Sequence, residues 1–158
     1  MSWLRALMLL ALIIWIGGII FFAFVLAPTV FAVLPTRELA GNVVSPSLSR
    51  LHWIGLASGL LFLLCSISYN QIRYGQPRLF SVTHVLLVIM LVFTAMSQFR
   101  VTPRMALLRT SMGTIDNVSG SDARRVEFNQ LHQWSTRLES GVLLCGLGVV
   151  ALTARRFS

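Results

Sequence analysis

The amino-acid sequence predicts an all-α membrane protein in which four transmembrane helices form a bundle, with a helical loop subdomain between helices three and four. The chain of 158 residues is 56% hydrophobic and only 11% charged, with a mean hydropathy of +0.78. Soluble domains contain about one quarter charged residues. The charges are also confined to short stretches that separate long uncharged runs. We therefore expect one integral membrane domain over residues 1–158.

Four uncharged runs correspond to the four spans. A transmembrane helix needs roughly 20 apolar residues, about 17–25 in practice. The runs 6–36, 51–72 and 79–99 meet this requirement, and the run 140–154 meets it if its helix begins near Leu138, with Glu139 at the interface. The expected spans are residues 4–34, 51–72, 79–99 and 138–154, and residues 100–137 form the amphipathic helical loop.

The first span is a retained helix rather than a signal peptide, because its apolar run is about twice the usual 7–15 residues and no A-x-A cleavage site follows. It exceeds one bilayer crossing, and Pro28 is the natural kink. In lipid, small residues let helix backbones approach each other. We expect Gly17 and Gly18 in helix one to serve this packing. Gly55 and Gly59 in helix two do the same, or alternatively form a homodimer surface.

The long loop contains two helix-start signals. Thr102 followed by Pro103 is typical of a cap with proline at the first helical position. Ser121 or Asp122 can cap a second helix, which we expect to run into span four without a break. The connection between spans one and two, residues 35–50, is predicted to be a loop.

All 13 basic residues are arginines, and the net charge is +8. They flank apolar spans, so anionic lipid headgroups are the expected partner and nucleic acid is not. Side A, the face with both termini, has five arginines, and side B, with the two longer connections, has eight. Arginine density favours a cytoplasmic side A, whereas the raw count favours side B. We expect both termini to be cytoplasmic, because the side B loop is long enough to dilute the rule. A homo-oligomer and a larger membrane complex both remain open.

Three motifs carry a family resemblance: WIGG with FF and VLAPTVF in span one, TPRMALLR after span three, and EFNQLHQWSTRL before span four. In this order the chain resembles the bacterial domain-of-unknown-function 4149 family, related to the transmembrane protein 205-like family. The resemblance implies a four-helix membrane protein and implies no reaction; we expect it in the bacterial inner membrane. The matching positions are Trp15, Gly17, Gly18, Ala27, Pro28, Phe31, Pro103, Arg104, Met105, Arg109, Phe128, His132 and Ser135.

Ionisable residues at membrane depth are functional candidates by default. Arg125, His132 and Glu139 recur every seven residues and share one stripe of the fourth helix. This stripe could face His52 at the start of helix two. We therefore predict a polar site on side B, with the residues Glu139, Arg125, Ser135, Arg104 and Arg109.

His52 and His132 could also ligate a cofactor, which the sequence does not identify. Two imidazoles from neighbouring helices would hold a single haem b. Imidazole and thioether ligands suit copper(I), and Met96 and Met105 lie on the same side. The alternative is that the methionines fill apolar space and the histidines are hydrated at the interface.

The sequence lacks the motifs of familiar enzymes: there is no carboxylate pair within a helix, no glycine-rich phosphate loop, no HExxH and no CxxC. The expected function is therefore non-enzymatic, either an accessory or structural component or a small transporter-like protein with a polar site on one membrane face. The alternative is copper handling or single-haem redox chemistry at His52 and His132.

Overall fold

The computed structural model describes residues 2–77, 80–113 and 117–157, and its regular elements within these ranges are helices. Two π-helical segments, Phe22–Leu26 and Ser97–Val101, join α1 to α2 and α4 to α5. The α-helices are α1 (Ser2–Phe21), α2 (Ala27–Val33), α3 (Arg37–Tyr74), α4 (Val82–Met96), α5 (Thr102–Met112) and α6 (Ala123–Phe157).

Four continuous helical stretches are long and apolar enough to cross a membrane: Ser2–Val33, Arg37–Tyr74, Val82–Met112 and Ala123–Arg155. This confirms the predicted membrane protein with four transmembrane helices. In lipid, helices satisfy every backbone hydrogen bond internally. The 38 residues of α3 would measure about 57 Å, and a bilayer core is about 30 Å thick. The charged parts of the helices, residues 37–50, 102–112 and 123–137, therefore project beyond it; we call them the side B layer.

The connections are shorter than the sequence suggested. Residues 35–50 were predicted to be a loop, but α3 begins at Arg37, where the Thr36 hydroxyl accepts a hydrogen bond from the Leu39 amide at 3.2 Å. Pro46 lies inside this helix without ending it. An α-helix begins at Thr102 as predicted, but Thr102 does not cap it, because the helix follows the π-helical segment directly and its N-cap position, Val101, makes no side-chain hydrogen bond. Val101 before it has helical dihedral angles, φ −73° and ψ −53°, so the chain passes from α4 into α5 without a loop.

The unbroken helix from residue 123 into span four is confirmed. Asp122 precedes α6 and accepts a hydrogen bond from the Arg124 amide at 2.8 Å. The Arg124 guanidinium also donates to the Asp122 carboxylate, and these bonds lower the carboxyl pKa from 3.8 to about 2. The carboxylate thus satisfies an amide that has no partner within the helix.

Each π-helical segment lies just ahead of a proline. Proline has no N–H, and its ring conflicts with the carbonyl four residues earlier. Ahead of Pro28, the Ala27 amide bonds to the Phe22 carbonyl, five residues back. Ahead of Pro103, the Thr102 amide bonds to the Ser97 carbonyl in the same way. The distortion predicted at Pro28 therefore takes the form of a widened turn.

Trp15, which is only 2% exposed, fills a notch in α3 made by two glycines. A Cβ atom on Gly55 would lie 2.4 Å from the Trp15 Nε1, and one on Gly59 would lie 2.6 Å from the Trp15 Cζ3. Gly55 and Gly59 are buried inside the chain, so the homodimer interpretation of this pair is wrong.

The two glycines of α1 differ. A Cβ atom on Gly18 would lie 2.7 Å from the Leu51 Cδ1, which confirms close packing there. Gly17 is exposed, and a Cβ atom added to it would meet nothing within 4 Å. The expectation that Gly17 is a packing glycine within the bundle is therefore wrong, because it faces away from α3.

We expect Gly55→Ala to lower the free energy of unfolding by about 1–3 kcal/mol, because the rigid indole of Trp15 must shift to admit the methyl group. Gly17→Ala is the matched control and should be neutral, or stabilising by up to about 1 kcal/mol through helix propensity. Unfolding of the purified variants in mixed detergent micelles measures both. Equal effects of the two changes would contradict the packing described for Trp15.

The cap at Asp122 predicts a local dependence on pH. A folded-state pKa below the unfolded value means that this stabilisation is present above about pH 4 and is lost as the pH falls through about 2. Amide hydrogen exchange in the first turn of α6 should accelerate over that window, after correction for intrinsic exchange. In Asp122→Ala the same amides should exchange faster at neutral pH and show no such step. An unchanged profile in this variant would contradict the capping role.

Candidate functional site

A polar cluster centred on one buried histidine forms where α3, the second π-helical segment and α6 meet, and its other members are partly buried. It comprises Ser49 and His52 of α3, Gln98 of the π-helical segment and Glu139 of α6. The antiparallel pairing of α3 with α4 fixes the register. Three contacts show this register: His52 with Gln98, Gly59 with Leu91, and Ser66 with His84. Seven residues forward along α3 therefore correspond to seven residues backward along the stretch formed by α4 and the π-helical segment.

His52 is the centre of the cluster and is only 2% exposed. Its Nε2 lies 2.5 Å from the Glu139 Oε1, and its Nδ1 lies 3.0 Å from the Gln98 Oε1. The Gln98 amide nitrogen donates to the Ser49 hydroxyl at 2.9 Å. Both nitrogens of the buried imidazole are therefore engaged, as burial of a polar ring requires.

The orientation of the imidazole determines which groups it can bond. Its Nε2 faces a carboxylate oxygen of Glu139, and its Nδ1 faces the carboxamide of Gln98, so the tautomer decides the direction of each hydrogen bond. A polar partner beside each ionisable side chain reduces the cost of placing it at a membrane boundary.

The second π-helical segment shapes the cluster. Wide turns of this kind occur often at functional sites because they change which side chains face inward. Ser97 and Gln98 both lie in this segment, and the Ser97 hydroxyl is buried without a hydrogen-bond partner in the described part of the chain. Ser135, a predicted site residue, is also buried, one turn before Glu139 on α6.

A groove of about 320 Å³ between α3 and α5 leads to this cluster from side B. Ser49 belongs to both, because it lines the groove and bonds to Gln98. The groove is therefore connected to the His52–Glu139 pair by two hydrogen-bonded side chains. Its lining residues are Asn42, Ser45, Pro46, Ser49, Thr102, Ala106, Arg109 and Thr110.

On the other side of the cluster the bundle is apolar. Trp15, Phe62 and Met90 are all buried there. A second polar group follows about 21 Å further along α3, where the His84 Nε2 lies 2.9 Å from the Ser66 hydroxyl. The described conformation thus joins the His52–Glu139 pair to side B and separates it from side A.

The predicted arginines are not assembled around Glu139. Arg104 forms a two-point ion pair with Glu127, at 2.7 and 3.0 Å. Arg109 donates to the Gly41 carbonyl at 3.0 Å and lies over the Phe128 ring. The Arg125 guanidinium donates to the Val118 carbonyl. These three side chains brace the helices and connection of the side B layer, and Arg109 alone also lines the groove.

The other proposed ligands also lie apart. His132 and Met96 are exposed, and Met105 is half-buried. A metal ion or haem on His52 would have to displace Glu139 or Gln98. Within residues 2–77, 80–113 and 117–157, no group of three or more histidine, cysteine, aspartate or glutamate side chains could hold a metal ion. Metal or haem binding stays a prediction.

Sequence reasoning missed Ser49 and Gln98. Gln98 is the single carboxamide in the uncharged run 79–99, which is a usable signal for a buried polar contact. Ser49 gave no comparable signal, because residues 35–50 were read as a loop. The pairing of His52 with Glu139, by contrast, was within the predicted cluster.

We expect Glu139→Gln to lower the free energy of unfolding by about 1–3 kcal/mol, because it replaces a charge-assisted hydrogen bond to the buried His52 with a neutral one. Glu127→Gln removes the carboxylate of an exposed ion pair and should leave stability unchanged. Unfolding in mixed micelles at neutral pH compares the two. A larger effect of Glu127→Gln would contradict the central role given to Glu139.

Comparison with known proteins agrees with this architecture. A family model described as a domain of unknown function (DUF4149) matches residues 10–113, about two thirds of the chain. The matched region contains His52 and Gln98, and Glu139 lies beyond it. No curated protein and no solved structure matches the chain. The relation to the transmembrane protein 205-like family stays a prediction. The chain is a four-helix membrane protein that belongs to the DUF4149 family.

Proposed function

We propose that this chain is a small transport-type membrane protein, in which a polar solute enters the groove between α3 and α5 and reaches the His52–Glu139 pair. One observation carries the proposal: the buried His52 lies 2.5 Å from the partly exposed carboxylate of Glu139 and is joined through Gln98 and Ser49 to a groove. Ionisable side chains inside a membrane bundle are costly and mark solute or ion pathways. The proposal assigns no chemical reaction to the site.

The proposal includes an orientation and a location. We propose that the protein lies in the inner membrane of a bacterium, with both termini in the cytoplasm and the groove facing the opposite side. The family resemblance supports the bacterial membrane, and the density of arginines in the short side A connections supports the orientation. Anionic headgroups are the proposed lipid partners of the arginines on both sides.

An accessory role in a homo-oligomer or a larger membrane complex is the second candidate. Its support is a row of polar side chains on α6 that line a shallow groove of about 490 Å³. Such a row at the membrane boundary suits a protein partner. In that case the His52–Glu139 pair would be a static contact that holds α3 to α6. The residues in the row include His132, Gln133, Thr136, Arg137 and Ser140.

The two candidates differ in whether water reaches the cluster from both sides. We would replace Cys65 and Cys145 by alanine and introduce Ser49→Cys, then add a charged, membrane-impermeant thiosulfonate to vesicles of either orientation. Transport requires Ser49→Cys to react quickly from side B and, more slowly, from side A, because the site must open to each side in turn.

Two control variants set the range of reaction rates. Ser119→Cys lies in an exposed connection and should react fast, and Ser58→Cys lies in the buried core and should react slowly. We expect their rates to differ by at least about 100-fold, because thiol reactivity follows exposure. Reaction from side B alone would favour the accessory role. If Ser49→Cys reacts as slowly as Ser58→Cys from both sides, the cluster is dry and the transport proposal fails.

A further inference from the structure

The groove between α3 and α5 is lined for a negatively charged ligand. Arg109 is the one charged residue among its lining residues, and no carboxylate lines it. The other polar lining residues carry hydroxyl or carboxamide groups, all able to donate hydrogen bonds. The side chains of Asn42, Ser45 and Thr102 make no hydrogen bond within the described part of the chain. The groove therefore offers one cation and several unused donors.

Arg109 is held in place but not saturated. Its Nη1 donates to the Gly41 carbonyl at 3.0 Å, and its guanidinium lies 5.7 Å from the centre of the Phe128 ring. Its buried Nε has no partner in the part of the chain that is described. A guanidinium has five N–H donors in a fixed plane, so most of its capacity remains unused. Glu38 interacts with it electrostatically without forming a direct ion pair among the described residues.

The backbone adds an acceptor next to these donors. Pro46 has no N–H, so the carbonyl of Asn42, four residues earlier, lacks its usual partner within the helix. Asn42 and Pro46 both line the groove. A ligand with several acceptor oxygens and one hydroxyl would satisfy both kinds of group. A monoprotonated phosphate has this combination, and a planar arginine fork is well suited to its oxygens.

We propose that the groove between α3 and α5 binds a phosphate-type oxyanion, with Arg109 as its charged donor and the hydroxyls of Ser45 and Thr102 as neutral donors. The inference rests on the proposed function and names the solute class for that groove. The oxyanion belongs either to a soluble phosphate compound or to the headgroup of an anionic lipid, since both present the same oxygens to Arg109.

Thermal unfolding of the full chain in neutral detergent tests this proposal. One arm titrates inorganic phosphate against chloride at matched ionic strength, and the other titrates short-chain phosphatidylglycerol against short-chain phosphatidylcholine. A ligand that binds the folded state raises the unfolding temperature with concentration. Stabilisation by inorganic phosphate identifies a soluble anion, and stabilisation by phosphatidylglycerol alone identifies a headgroup. No stabilisation in either arm overturns the proposal.

Arg109→Gln should lower the affinity for whichever probe stabilises the protein by at least about tenfold, because it removes the positive charge and the paired N–H donors of the guanidinium. Arg104→Gln, on the same helix but outside the groove, should retain the affinity. Equal losses in these two variants would mean non-specific charge attraction and would overturn the proposal.

Arg109 also contacts the Gly41 carbonyl and the Phe128 ring, so its replacement could disturb the fold. A second variant therefore leaves Arg109 unchanged. Ser45→Ala combined with Thr102→Val removes two neutral donors and should weaken binding by about three- to tenfold. Unchanged affinity in this variant would overturn the assignment of the site to this groove. Failure of both probes while Ser49→Cys still reacts from both sides would refute the anion site and leave the transport proposal intact.

Discussion

The seating of Trp15 in the notch of Gly55 and Gly59 is the contact on which the rest of the structure depends. Lipid provides no hydrophobic force between helices, so association relies on close packing at small residues. The indole fixes both the height and the rotation of α3 relative to α1. His52 lies one turn from Gly55 on the same face of α3, so the same contact directs its imidazole inward. His52 then bonds to Gln98 in the second π-helical segment and to Glu139 on α6.

The four spans could be predicted from the sequence because they depend on one quantity, the length of uncharged chain compared with bilayer thickness. The ends of the helices could not. Residues 35–50 separate two uncharged runs and were therefore predicted to be a loop, but α3 begins at Arg37 and continues through Pro46. Likewise the Thr102–Pro103 pair is a valid start signal for an isolated helix. Here α4 arrives already helical, and a π-helical turn accommodates the proline.

The site was partly predictable for a similar reason. His52 and Glu139 stand out as ionisable groups at the ends of apolar runs, and their proximity followed from the antiparallel order of the spans. Which residues join them depends on helix rotation, which sequence spacing does not determine. His132 is seven residues from Glu139 and was expected on the same stripe, yet it is exposed. Gln98 belongs to the cluster because it lies in a π-helical turn. That turn depends on Pro103, five residues further along the chain.

The two π-helical turns have a consequence for how this chain tolerates insertions and deletions. A π-helical turn holds one more residue than the α-helical turn it replaces. Deleting one residue between Ser97 and Val101 would therefore restore an α-helical turn and leave α5 close to its present rotation relative to α4. Arg109 would keep its place in the groove, whereas the wide turn that carries Gln98 would be lost. The π-helical turn thus lets the span hold one extra residue without changing the register of the side B layer.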